Sequence, residues 1–334
     1  MRVSSQWSVV SRSVFLLTLY AVLFVLCIPA TAQQGRIARI GFLAAGYTSG
    51  PSSARDLFLK GLSELGYIEG KNILIDYRYA EGDASRFPEL AAELVSLKVD
   101  VIVVASVQSA LAASKATKTI PIVMAGSDPV GGGLVDSLSQ PGGNITGIAN
   151  PSAELGGKQL ELLKESFPSF SRIAVLRNAA SPVTKQQLKE IEGAGRSLGL
   201  QLSIVDAQGP KDFEKAFASM KKNNVQALNV LPSAIFTVNR NQLLEKVSKA
   251  SLPTIYPHID FVTAGGLMSY GAVRSEIWRR AAVIVDKILK GVKPQDIPVE
   301  QPTKFEFVIN LKAAKQIGLT IPPNVLVRAD KVIK

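Results

Sequence analysis

The chain has 334 residues, with 38 Lys and Arg against 27 Asp and Glu and a formal net charge of +11. One cysteine, Cys27, and one histidine, His258, exclude a disulfide framework and zinc sites built from several His or thiolate ligands. The basic residues are scattered rather than gathered in a stripe, so the excess reads as a solvated surface and no nucleic-acid partner is expected.

Arg2 and Arg12 lead into the uncharged run "VFLLTLYAVLFVLCI" (residues 14–28), followed by "PATAQQ". A basic segment, a short apolar core and an Ala30-Thr31-Ala32 site make up the anatomy of a secretory signal peptide. The apolar run is about 15 residues, short for a membrane span of ~20. Val25 and Leu26 before Cys27 are too bulky for lipoprotein processing. The expectation is removal of residues 1–32 after Ala32 and a free, exported protein without cysteine and with a net charge of +9. About 300 remaining residues favour two lobes over one core.

From Arg36 onward short apolar runs alternate with amphipathic segments. "RIARIGFLA" reads as a buried strand, and "SARDLFLKGLSELGY" as a helix with Leu57, Phe58, Leu62 and Leu65 on one face. In "NILIDYRY", Ile73, Ile75, Tyr77 and Tyr79 alternate as in a strand. Helix "FPELAAELVSLK", strand "VDVIVVAS", helix "SALAASKAT" and strand "IPIVMAG" follow. Such alternation predicts parallel sheets with helices on both faces.

The series then begins again. "SRIAVLRN" repeats "ARIGFLAA", with Arg172-Ile173 standing 133 positions after Arg39-Ile40. The Leu-Gly steps Leu65-Gly66 and Leu198-Gly199 keep the same spacing, "VQALNVLPS" answers "VDVIVVASV", and "LPTIYPH" answers "IPIVMAG". Two similar α/β lobes are therefore predicted. The tail adds a strand or crossover at "GGLMSYG", a long helix "SEIWRRAAVIVDKILKG" ended by Gly291, a strand in "KFEFVINL" and a last helix "KAAKQIGL". The predicted lobes are 36–148 with 272–302, and 149–271 with 303–334, joined by hinge crossings near Ile148, Gly271 and Thr303.

The glycine cluster in "GSDPVGGGLVDSLSQ" is not a phosphate loop: it follows the fourth strand, and no Lys-Ser or Lys-Thr pair follows Gly133. Asp128-Pro129 reads as a turn from which the glycines start a helical segment at Leu134.

Ligands of doubly wound sheets bind beyond the carboxyl ends of the strands. Those ends carry Tyr47, Ser106, Gln108, Ser127 and Asp128 in the first half, and Asn178, Ser181, Ser233, Tyr256 and His258 in the second, with Tyr270 at the return crossing. Hydroxyls, amides and aromatics of this kind suit a small polar solute. Asp128 is the acid available for a ligand ammonium, or else a turn residue or helix cap. Asn178 likewise faces the cleft or caps the next helix, and each tyrosine lines the cleft or packs in a core. Trp278 is expected to pack against its own lobe.

The segments "RIGFLAAG", "SDPVGGGLVDSLSQPGGNITGIA", "PTIYPHIDFVTAGGLMSYG" and "RRAAVIVDKILKGVKPQDIPVEQPTKFEFVINLKAAKQIGLTIPPNVLVRADKVI" resemble the ABC transporter substrate-binding family, in its tryptophan/tyrosine-type branch. The resemblance spans nearly the whole mature chain. It implies the type I periplasmic binding-protein fold: two doubly wound, Rossmann-like α/β lobes with a hinge. It also implies a monomeric receptor, without cofactor, that closes on a solute and delivers it to an ABC permease in the inner membrane. The chain departs from the family pattern at Ile259-Asp260, where an Arg-Glu pair is usual, at Ser233-Ala234, where Asp-Pro is common, and at Trp278, where many members have tyrosine.

An enzyme is not expected. No G-x-S-x-G elbow accompanies His258, and acidic residues do not dominate the inferred cleft. A ligand sensor docking on a chemoreceptor or sensor kinase uses the same fold and stays open as the alternative. A repressor would carry a helix-turn-helix where the signal peptide stands.

Overall fold

The computed structural model describes residues 37–47, 53–150, 152–181 and 184–334; the expected signal peptide lies outside them. In chain order the first half comprises β1 (Ala38–Ala44), α1 (Ser53–Glu64), β2 (Ile73–Tyr79), α2 (Phe87–Ser96), β3 (Val101–Val104), α3 (Val107–Ala116), β4 (Ile122–Ser127) and β5 (Ile145–Ala149). The second half comprises α4 (Ser152–Ser166), β6 (Arg172–Arg177), α5 (Thr184–Ser197), β7 (Gln201–Asp206), α6 (Pro210–Lys222), β8 (Ala227–Val230), α7 (Ala234–Val238), α8 (Arg240–Ala250), β9 (Thr254–Tyr256), α9 (Ile259–Thr263) and β10 (Met268–Ala272). The remainder is α10 (Arg274–Leu289), β11 (Phe305–Asn310), α11 (Leu311–Gln316), α12 (Pro323–Leu326) and β12 (Lys331–Ile333).

The strands form two sheets, ordered β2-β1-β3-β4-β5 and β12-β11-β10-β9-β8-β6-β7. The first is parallel throughout, and in the second only the β10–β11 pair is antiparallel. Counted from its own first strand, each half repeats the order 2-1-3-4-5, a doubly wound arrangement. The repeat seen in the sequence is thus a repeat of topology. β11 and β12 extend the second sheet only.

Parallel strands covered on both faces need continuous apolar runs, and Val101, Ile102, Val103 and Val104 are all buried. Their side chains alternate: Val101 and Val103 join Ile40, Phe42, Phe58 and Trp278 on one face, while Ile102 and Val104 join Leu43, Leu94 and Met124 on the other. Each fully buried side chain of this size is worth about 1.5–3 kcal/mol. In α1, Phe58 and Leu62 turn inward as expected, but Leu65 does not belong to that face. It lies beyond the helix end at Glu64 and is exposed, because the chain leaves the helix through Gly66 in the left-handed region.

Two further expectations change. No helix starts at Leu134; residues 128–140 are turns and bends. The Asp128 carboxylate and the Gly132 and Gly133 amides close turns onto this segment instead. Moreover β5 and β12, which the sequence pattern did not mark, complete the two sheets.

The chain passes between the sheets three times. After β5 it enters α4, which packs on β8, β9 and β10. After β10 it returns through α10, which lies on α1, β4 and β5, with Gly61 letting the α1 backbone approach Arg279 and Ala282 closely. Residues 297–300 then run beside β5, where Thr146 Oγ1 donates to the Ile297 carbonyl at 2.8 Å and the Ala149 amide to that of Glu300 at 2.7 Å. From there β11 rejoins the second sheet.

Candidate ligand-binding cleft

The carboxyl ends of both sheets border two adjoining cavities of about 340 and 90 Å³, which share Ala105, Gly126, Asn150, Pro232, Ser233 and Ala234. From the first sheet the larger cavity receives mostly small residues: Ala44 at the end of β1, Ala45 just after it, Ala105 after β3 and Ala125 in β4. Small side chains at strand ends leave room for a ligand against the sheet. Ile277 and Trp278 of α10 close the apolar side. Trp278 is 2% exposed and packs on Phe42 and Phe58, at centroid distances of 5.7 and 6.0 Å, so it is both core and wall.

The second half supplies charge. Arg274, at the start of α10, donates from Nη1 to Asp260 Oδ2 at 2.7 Å. Arg240, at the start of α8, donates from Nη1 to the Thr237 carbonyl at 3.2 Å. Its buried Nε has no hydrogen-bond partner among the described residues. Burial lowers the Arg274 pKa, Asp260 opposes that, and the nearby Arg240 charge adds to it. Thr237 Oγ1 donates to the Ser233 carbonyl at 2.9 Å and therefore accepts from His258 Nε2–H at 3.1 Å. That arrangement leaves His258 Nδ1 unprotonated, 3.9 Å from Asp260 Oδ2. Burial first, and then Arg274, push His258 from 6.5 down to about 3 against the pull of Asp260, so its imidazole is neutral.

The smaller cavity is lined by Ser106, Gln108, Ser127, Asp128, Asn178, Ser181 and Ser233. Ser106 caps α3, its Oγ accepting from the Ser109 amide, and Ser233 caps α7 in the equivalent place of the second half. Asn178 Oδ1 accepts from the Ala180 amide at 3.0 Å while its Nδ2 reaches Ser233 Oγ at 3.5 Å, so it both shapes the turn and borders the cavity. Asp128 Oδ1 accepts from the Gly131 amide at 2.8 Å, and its Oδ2 is also pressed towards Gly131. The buried Ser127 Oγ and Asn150 Oδ1 have no partner among the described residues, which suits atoms awaiting a ligand or water. Two hydrogen bonds span the mouth: Tyr47 OH donates to Asn239 Oδ1 at 2.9 Å, and Gln108 Nε2 donates to the Ala180 carbonyl at 3.3 Å.

Tyr47, Ser106, Gln108, Ser127, Asp128, Asn178, Ser233 and His258 are therefore brought to the cavities, whereas two tyrosines are not. Tyr256 is fully buried and stacks on Phe261 at 4.8 Å; burial raises its phenol pKa. Tyr270 is half-buried against Phe305, ring centroids 6.2 Å apart. Arg240, Arg274, Asn150 and Asn239 were not singled out in the sequence. One signal was available: both arginines open helices, where the helix dipole disfavours cations.

Two doubly wound lobes bordering a cleft define the class of type I periplasmic binding proteins, a fold this chain shares with distant solute-binding structures. The family model for "ABC transporter substrate binding protein" matches residues 48–333, and the chain belongs to that family. It is 30% identical over 270 residues to a tyrosine-binding protein of Clostridioides difficile, covering 80% of this chain and 76% of that one. A Streptococcus pneumonia ABC domain in complex with L-Trp is 28% identical, with a TM-score of 0.81 over 89% of this chain and 100% of the other. The ligand-free, open structure of a Clostridium difficile substrate-binding protein with adhesive properties is 26% identical over the same shares, with a TM-score of 0.62. No helix among the described residues is long and apolar enough to cross a membrane.

Proposed function

We propose that the protein is the extracytoplasmic receptor of an ABC uptake system, exported by cleavage after Ala32. In this reading its lobes, 36–148 with 272–302 and 149–271 with 303–334, close on a small solute and present it to an inner-membrane permease. The carrying observation is a cavity with walls from both halves and a mouth bridged by Tyr47–Asn239 and Gln108–Ala180. The greater likeness to the L-Trp complex than to the open structure, at similar identity, supports a closed arrangement here. Tyr47, Ser106, Gln108, Ser127, Asp128, Asn178, Ser233 and His258 are the proposed contacts. The tyrosine- and tryptophan-binding relatives favour an aromatic amino acid or a related acid.

Thermal melting of the purified protein, unfolded and refolded to strip co-purified ligand, tests this reading against amino acids, organic acids, sugars and nucleosides. A ligand at a hundred times its Kd adds ~2.7 kcal/mol, or roughly 5–10 °C for domains of this size. A shift confined to one chemical class supports the receptor reading, and no shift across the panel refutes it for these solutes.

A further inference from the structure

The charges around the larger cavity do not cancel. Arg274 is matched by Asp260, His258 is neutral, and Arg240 has no carboxylate within ion-pair distance among the described residues. Among the described residues no Asp or Glu lines this cavity. The site therefore carries one excess positive charge on a residue whose Nε is already shut off from solvent. A partly buried charge of this kind is costly unless paired.

We infer that the solute is a small carboxylic acid with an apolar body and no ammonium group, its carboxylate set against Arg240. This rests on the receptor reading above. A monocarboxylate brings one negative charge and balances the site, while a zwitterionic amino acid brings none in net and adds an ammonium that needs acceptors. Among the described residues the buried side-chain acceptors on this wall without a donor are Asn150 Oδ1 and His258 Nδ1, both neutral, against the three donors of an ammonium. The nearest lining acid, Asp128, belongs to the smaller cavity and has its carboxylate folded onto Gly131. In the same cavity Ala44, Ala125, Ile277 and Trp278 offer an apolar surface for a ring or branched chain. A volume near 340 Å³ sits at the lower end of the ~300–1,000 Å³ typical of small-molecule sites, which limits the body to a modest size.

Isothermal titration with matched pairs tests the inference: 3-phenylpropionate against phenylalanine, 3-(4-hydroxyphenyl)propionate against tyrosine, indole-3-propionate against tryptophan, and 4-methylpentanoate against leucine. At least one acid is expected to bind about tenfold or more tightly than its amino acid. Arg240→Gln should weaken that acid about tenfold or more while leaving the melting point of the ligand-free protein unchanged or higher, which a merely structural arginine would not do. Arg240→Lys, which keeps the charge, should retain part of the affinity and serves if the glutamine variant does not fold. Amino acids binding more tightly than their acids would overturn the inference and leave the receptor reading standing. So would binding of a sugar or nucleoside with no acid bound. Failure of every class overturns the inference and counts against the receptor reading as well.

Discussion

The hydrogen bond from Tyr47 to Asn239 offers a direct test of the proposed lobe closure. Tyr47→Phe removes only the phenol oxygen that reaches Asn239 Oδ1 at 2.9 Å across the mouth. Stranding a fully buried acceptor would cost about 1–3 kcal/mol, but Tyr47 is 42% exposed, so water can reach the vacated position. The smaller value for a net hydrogen bond, about 0.5–1.5 kcal/mol, is therefore the appropriate one. Asn239 itself stays anchored through its Nδ2, which donates to the Ile235 carbonyl at 2.9 Å. If the bond exists only when the lobes meet, the whole loss falls on the closed state and affinity drops about 2- to 12-fold. The change should appear in the dissociation rate, with association nearly unaltered, because encounter precedes the contact. Stopped-flow binding and calorimetry with the ligand found by the melting panel measure both. Unchanged affinity, or a loss confined to association, would refute the idea that this pair latches the closed form.

Other consequences are open to measurement. Trp278→Ala should destabilise the fold by about 3–5 kcal/mol in urea titrations, because the ring is 2% exposed and fills space between Phe42 and Phe58. Arg274→Met takes the guanidinium away from the Asp260 carboxylate, 16% exposed, and should cost about 3–5 kcal/mol; a loss below 1 kcal/mol would show that other groups or water already compensate that charge. His258, depressed from 6.5 to about 3, binds a proton more readily unfolded than folded, so its contribution to stability is complete above 6.5 and shrinks as pH falls towards 3. Within that window the slope is up to about 1.4 kcal/mol per pH unit, and His258→Gln should flatten the urea midpoint against pH by that amount.

The fold was largely legible because parallel strands demand unbroken apolar runs and their order repeats. "VIVV" and "IAVLR" can hardly be anything but buried strands once glycine and helix signals punctuate them. β5 was missed because Gly147, with φ at +144°, and the flanking Gly142 and Gly143 read as loop, although its Ile145, Ile148 and Ala149 are buried. A substituent on Gly147 would collide with the Met124 backbone, so this glycine marks close strand packing rather than a break. The site was legible only in its addresses. A position at a strand's end says nothing about which face its side chain takes, so Tyr256 turned into the core while His258, two residues on, reached the cavity. Arg240 and Arg274 could not be paired from sequence, since α8 and α10 bring them together only in the folded chain.

Topology repeats between the halves, yet their chemistry does not. The first half gives the larger cavity alanines at its strand ends, and the second gives it Ser233, Arg240 and His258, with Arg274 beginning the helix that returns. A ligand held between such walls has a defined direction, with its apolar body on the first sheet and its charged end towards the second. The same asymmetry bears on the proposed hinge. With the lobes apart, water can hydrate the whole of Arg240; bringing them together without a ligand shuts its Nε off from water and offers no anion in return. A bound carboxylate supplies the missing charge at the moment of closure. The empty protein should accordingly favour the open arrangement, and the preference should reverse by as much as the solute binds the closed form better than the open one. On this account Arg240 serves recognition and conformational choice through one interaction. Neutralising it should make closure less dependent on the solute, even as the solute binds less well.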